Sequence, residues 1–179
     1  MLQTLDIAEE LFFNNELLVV ASAPRSGSSM VMQTLKLLGV RVDAPPFIPE
    51  HDGIRQYNPK GFYEHNLQGG IDATYKGAWK LFGGQILDTD TGLMKKVIHI
   101  QRDRKKAIES LARFHTQPDI HYDANVKCIE IVLKEVPHLK LTYEDMVQSP
   151  EKEIARIIMY LDIHPSEIQI EQSVKNIKS

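Results

Sequence analysis

The stretch "VVASAPRSGSSMVMQTLKLLGV", Val19 to Val40, joins three kinds of local order in one short run. Its first residues belong to "ELLVVASA", 16–23, a continuous apolar run of strand length that suits a strand covered on both faces. From Ser28 onward, Met30, Val31, Leu35 and Leu38 recur close to helical spacing, and Gly39 is placed to end that helix. Between strand and helix lie Pro24 to Ser29. A turn of this kind leaves backbone N–H groups pointing outward without internal partners. Together with the helix dipole they form a site for a phosphate or sulfate. Gly27 lets the backbone approach the anion closely, Ser26, Ser28 and Ser29 add hydroxyl donors, and Arg25 supplies a planar, permanently charged fork.

Outward from this unit the chain alternates strand and helix. Residues 3–15 read as a short helix or a flanking segment, and 40–62 form a long irregular stretch with four prolines and two glycines. Strands are predicted at 77–83 and 95–102. A helix follows from Asp103 to His115, with Ala107, Ile108, Leu111 and Phe114 on one face. A further helix spans 119–136 and ends at Pro137, a strand spans 138–145, and a last helix starts at Pro150 with Ser149 as its cap. Glu151 and Glu153 place acids near that helix's positive end. This order predicts an α/β fold, a three-layer P-loop-type domain with a central, mainly parallel sheet flanked by helices. Ligands of such sheets sit beyond the carboxyl ends of the strands, where Pro24–Ser29, Lys80 and Arg102 all fall. At 179 residues the chain is expected to form one domain, 1–179, burying roughly two-thirds of its unfolded surface.

Composition narrows the function. Apolar residues at 42% and charged residues at 25% are ordinary for a globular protein, and a net charge of −3 argues against a nucleic-acid-coating protein. Any anion site must be local. The single cysteine, Cys128, excludes an intramolecular disulfide and reads as a packed helix residue in a reducing compartment. The N-terminus "MLQTLDIAEELFF" carries acids where a signal peptide carries bases, and no apolar run approaches the ~20 residues of a membrane span. A cytoplasmic protein without membrane insertion is expected. The seven histidines show no paired ligand spacing, so no metal is implied. Trp79 and the six phenylalanines could line an acceptor pocket, with core packing the default for each, and no feature of the sequence indicates an oligomeric state.

A nucleotide-hydrolysing P-loop reads G-x-x-x-x-G-K-S/T. Aligned on Gly27, its first glycine position holds Ser22, its lysine position holds Ser28, and the cation Arg25 sits three residues earlier. "APRSGSS" instead resembles the 5′-phosphosulfate loop of sulfotransferases that use PAPS (3′-phosphoadenosine 5′-phosphosulfate), which runs Pro-(Lys/Arg)-Ser-Gly-(Thr/Ser)-(Thr/Ser). "VIHIQRDRKKAIESLARF" is similar to that family's 3′-phosphate segment, a strand ending in arginine with a serine eight residues on, here Arg102 and Ser110. Arg104 stands where the family usually has proline. "LKLTYEDMVQSPEKEIARIIMYLDI" resembles the family's "YEDL…P…FLG" region, and "YNPKGFYEHN" resembles the "NPKGFxE" segment of its bacterial-type members.

The resemblance covers roughly residues 16–163. It implies a sulfuryl transfer from PAPS to a hydroxyl of a small-molecule, lipid or carbohydrate acceptor. Donor contacts then fall to Pro24, Arg25, Ser26, Gly27, Ser28, Ser29, Arg102, Ser110 and Tyr143, while Glu144 and Asp145 order the turn. For catalysis it puts forward Arg25 and Lys80 as cations and Glu64 as general base, with Glu50, His51 and His65 as rivals for that role. Acceptor recognition falls to 40–75 and 113–137. The chain lacks the C-terminal "RKGxxGDWK" stretch that many cytosolic members close over the 3′-phosphate. A P-loop kinase and a non-catalytic nucleotide-binding module are the alternatives, the kinase disfavoured by the missing glycine–lysine pair.

Overall fold

The computed structural model describes residues 12, 13, 15–42 and 71–179. Among them, four parallel strands form one sheet in the order β2 (Gly77–Leu81), β1 (Leu17–Ser22), β3 (Met94–Gln101), β4 (Leu139–Thr142). β1 lies inside, paired with β2 on one edge and β3 on the other. All six of its residues are buried, as the continuous apolar run requires of a central parallel strand.

Helices cover both faces. Leu18 and Val20 point into a core completed by Val31, Met32 and Leu35 of α1 (Ser28–Leu37), Met146 of α5 (Tyr143–Gln148), and Ile154 and Ile157 of α6 (Pro150–Leu161). Leu17, Val19 and Ala21 point the other way, onto Ile86 of α2 (Gly83–Leu87) and Ile129 and Val132 of α4 (Pro118–Leu133). A smaller cluster at the carboxyl end joins Ala23, Tyr122 and two residues of α3 (Arg104–Leu111), Ala107 and Leu111. The three-layer α/β reading holds. Trp79 packs in the second core, edge-on to Tyr75.

Several boundaries differ from those expected. α3 stops at Leu111, short of His115, and Asp103 caps its start by accepting from the Lys106 N–H at 2.9 Å. α4 ends at Leu133 and not at 136; Val136 is buried in the turn toward β4. The strand expected over 138–145 ends at Thr142, because the Thr142 hydroxyl accepts the Asp145 N–H at 3.0 Å and so opens α5. Ser149 occupies the cap position of α6 with Pro150 next to it, but its side chain makes no capping bond. α2 and the C-terminal α7 (Glu167–Lys178) were not anticipated; α7 starts with a capping box between Ser166 and Gln169. The helix or flanking segment expected at 3–15 and the irregular stretch at 40–62 fall almost entirely outside the described residues.

Candidate functional site: an anion cradle at the strand ends

The loop after β1 owes its shape to two residues in left-handed backbone conformation, Arg25 at φ 65° and Gly27 at φ 95°. Glycine is required at 27 twice over. Its φ is one that other residues adopt at a cost, and a Cβ there would lie 2.6 Å from Cδ2 of Tyr143. The loop is therefore seated directly on the corner between β4 and α5. Behind it, the Met30 and Val31 N–H groups both turn to the Gly27 carbonyl, and no side chain caps the N-terminus of α1. The positive end of a ten-residue helix is left facing the loop.

Three cations gather round this end. The Arg25 Nε donates to the Ser110 hydroxyl at 2.9 Å, and its guanidinium lies 5.3 Å from the centre of the Phe114 ring. Arg102, at the end of β3, donates from Nη1 to the Arg25 carbonyl at 3.3 Å and lies over the Tyr143 ring at 4.3 Å. Lys80 is 3% exposed; its Nζ lies 3.5 Å from the Ser29 hydroxyl and 5.0 Å from the centre of the Phe82 ring.

Three donors are buried without a hydrogen-bond partner among the described residues: the Ser22 hydroxyl at the end of β1, and, further along, the pair formed by the Ser26 hydroxyl and the Arg102 Nε–H. Ser26 and Arg102 both line a cavity of about 210 Å³ beside the loop, with His99, Tyr122 and Val126 among its walls. Burial first, and then His138 and Lys140, push the His99 imidazole down to about 4, so that wall is neutral near pH 7.

The structure thus brings Arg25, Gly27, Ser29, Lys80, Arg102, Ser110 and Tyr143 to one place. Ser26 and Ser28 are buried in the same loop and Pro24 is half-buried. The Ser110 hydroxyl accepts from Arg25, while Arg102 stacks on Tyr143. Glu144 and Asp145 have the ordering part expected of them, Glu144 accepting from the Asp103 N–H at 3.4 Å and Asp145 from the Thr142 hydroxyl at 2.7 Å. Glu64, with Glu50, His51 and His65, lies outside the described residues. Phe82 and Phe114, assigned to the core from sequence, lie over cations of the site; Phe114 is one helical turn beyond Ser110, a spacing that could have flagged it. Among the described residues there is no group of three or more His, Cys, Asp or Glu arranged to hold a metal, and no helix long and apolar enough to cross a membrane.

No protein-family model matches the chain, and no curated protein matches its sequence. Its fold does match solved structures. The sulfotransferase domain of the Synechococcus PCC 7002 olefin synthase superposes with a TM-score of 0.58 at 17% identity, covering 90% of this chain and 78% of that one. The sulfotransferase domain from the curacin biosynthetic pathway gives 0.57 at 16% identity, over 88% of this chain and 77% of that one. Mouse sulfotransferase SULT7A1, solved in complex with PAP (adenosine 3′,5′-bisphosphate), gives 0.53 at 13% identity, over 94% of this chain. This chain spans 66% of the mouse enzyme's length. With a parallel sheet flanked by helices, in which β1 runs through a Pro24–Ser29 loop into α1, the chain has the fold of these sulfotransferases.

Proposed function

We propose that the chain is a sulfotransferase, a single domain over 1–179, that moves a sulfuryl group from PAPS to a hydroxyl of a small-molecule, lipid or carbohydrate acceptor. The observation that carries this reading is the gathering of Arg25, Lys80, Arg102 and Ser110 round the uncapped head of α1. The fit to a donor with phosphate at both ends rests on chemistry. Two buried donors, Ser26 Oγ and Arg102 Nε, have room beside them for acceptor oxygens, and Gly27 lets the loop seat against Tyr143. Cys128, a half-buried free thiol, suits a reducing compartment such as the cytoplasm.

In this reading the N–H groups at the head of α1, with Ser28 and Ser29, hold the 5′-phosphosulfate, while Arg102, Ser110 and Tyr143 hold the 3′-phosphoadenosine. The acceptor oxygen attacks sulfur in line, the bond from sulfur to the 5′-phosphate oxygen breaks, and the bisphosphate leaves with the electron pair. Arg25 and Lys80 meet the charge that grows on the departing oxygen. The acceptor's proton passes to a general base, for which Glu64 is the candidate; a carboxylate closed into a pocket is raised toward the working range.

The test is a thermal-shift titration of the wild type and Ser110→Ala with adenosine 3′,5′-bisphosphate, beside AMP and ATP/Mg²⁺. A ligand at about 100 times its Kd adds about 2.7 kcal/mol of stability. Stabilisation by the bisphosphate, weakened in Ser110→Ala, supports the reading. Silence toward the bisphosphate removes it, and a response to ATP/Mg²⁺ alone makes the chain a kinase. A non-catalytic module binds the bisphosphate but releases none from PAPS in the presence of a phenol.

A further inference from the structure

The first two turns of α4 touch all three strand ends that carry the cations. The Asn125 Oδ1 accepts the Gly83 N–H at 2.8 Å, and its Nδ2 donates to the His121 carbonyl at 2.8 Å, so one amide ties α4 to the corner just past Lys80. The fit there is close enough to exclude a side chain on Gly83, whose Cβ would lie 2.7 Å from Cα of Asn125. Phe82, between Gly83 and Leu81, is the residue whose ring lies over Lys80. His121 stacks on His115, ring centres 4.4 Å apart, next to the Phe114 that lies against Arg25. Tyr122 donates its hydroxyl to the Arg102 carbonyl at 3.4 Å, and Asp123 takes both arms of Arg104 at 2.9 and 2.6 Å. The Arg104–Asp123 pair is more than half exposed at both ends, so it defines a position more than it stabilises one. The Asn125–Gly83 bond is different. It is partly buried, and it closes on the main chain three residues from a buried ammonium.

From this we infer that Asn125 is a positioning residue for the donor site: it holds the β2–α2 corner so that Lys80 meets the 5′-phosphate end of the nucleotide. The inference rests on the sulfotransferase reading above, and goes beyond it by assigning a residue that touches neither nucleotide nor acceptor. If Asn125 acts through Lys80, its loss weakens every ligand that carries a 5′-phosphate, whether or not a 3′-phosphate is present. Its loss then has nothing left to act on once Lys80 is gone.

The experiment is isothermal titration of AMP and adenosine 3′,5′-bisphosphate into the wild type, Asn125→Ala, Asn125→Asp, Lys80→Ala and the double variant Lys80→Ala/Asn125→Ala. Asn125→Ala is expected to weaken both ligands by about the same factor, on the order of tenfold for one well-placed hydrogen bond. Asn125→Asp keeps an oxygen for the Gly83 N–H and restores most of that loss. In the Lys80→Ala background, Asn125→Ala adds little, the non-additivity expected of residues that act as a unit. A purely structural role predicts a lower melting temperature with both affinities kept, and that result overturns the inference. So does a full Asn125→Ala penalty that persists without Lys80, or a loss confined to the bisphosphate. A wild type that binds the bisphosphate while the variants are indifferent overturns the positioning role alone; a wild type silent to both nucleotides overturns the donor reading and this inference with it.

Discussion

Gly27→Ala tests whether the anion loop is a strained, over-determined turn. Two costs apply at once. The residue sits at φ 95°, where an L side chain is strained by about 1–3 kcal/mol. Its new methyl group would lie 2.6 Å from the Tyr143 ring and 3.4 Å from Cδ1 of Ile100. Overpacking of that kind costs about 1–3 kcal/mol, and the Arg102 guanidinium already lies over the Tyr143 ring at 4.3 Å. The sum is about 2–6 kcal/mol, measured as a drop in the urea midpoint at unchanged m-value. Gly84→Ala is the internal contrast: a Cβ there meets nothing within 4 Å, and the loss of backbone freedom in the unfolded chain should stabilise by about 0.4–1 kcal/mol. A Gly27→Ala protein within about 0.5 kcal/mol of wild type, well inside the range of neutral surface changes, would refute the reasoning. It would mean that the loop relaxes freely and that its shape is not set by Tyr143.

Three further outcomes follow from the same contacts. Lys80→Ala should lower the rate of bisphosphate release from PAPS, with 4-nitrophenol as probe acceptor, by about 10²–10³, the usual cost of removing one group that stabilises transition-state charge; equal rates would take Lys80 out of the chemistry. His99 stays neutral down to about pH 4 in the folded chain but takes a proton near 6.5 when unfolded, so folding stability should fall as pH drops from about 6.5 to 4. That loss is about 3 kcal/mol at most, and a His99→Leu variant should show a flatter profile over that window in pH-dependent urea melts. Thr142→Ala removes the cap that opens α5 and should cost about 1 kcal/mol, with Thr142→Ser retaining most of it.

Much of this architecture can be read from the chain because its signals are local. Buried parallel strands appear as unbroken apolar runs, and "PRSGSS" between strand and helix marks the loop that joins them without any knowledge of neighbours. The Arg102 to Ser110 spacing likewise puts both residues at the carboxyl edge. What could not be read is of two kinds, side-chain caps that override local preference and contacts with partners far away in sequence. Tyr143 has strand-like preferences, yet Thr142 captures the Asp145 N–H and turns the chain into a helix. α2 opens on two glycines, poor helix formers, and is secured by the Gln85 side chain accepting from the Phe82 N–H at 3.0 Å. The bond between Arg25 and Ser110 has no local trace at all, nor has the closeness of Asn125 to Gly83. Spacing predicts which residues reach the site; it does not predict which of them hold one another.

The Arg25–Ser110 bond joins residues 85 apart in the chain, and Gly27 rests on a tyrosine from the far side of β4. The strand and helix flanking the loop are local and can form early, but the loop's own geometry waits for β4 and α5 to dock. In kinetic terms the cradle is a late structure, built from contacts of long sequence separation that slow folding and are made near its end. Substitutions at Gly27 or Tyr143 should accordingly act on the unfolding rate far more than on the folding rate. A nascent chain that has not yet released residue 143 from the ribosome would hold all of "PRSGSS" and still lack the ring on which Gly27 rests.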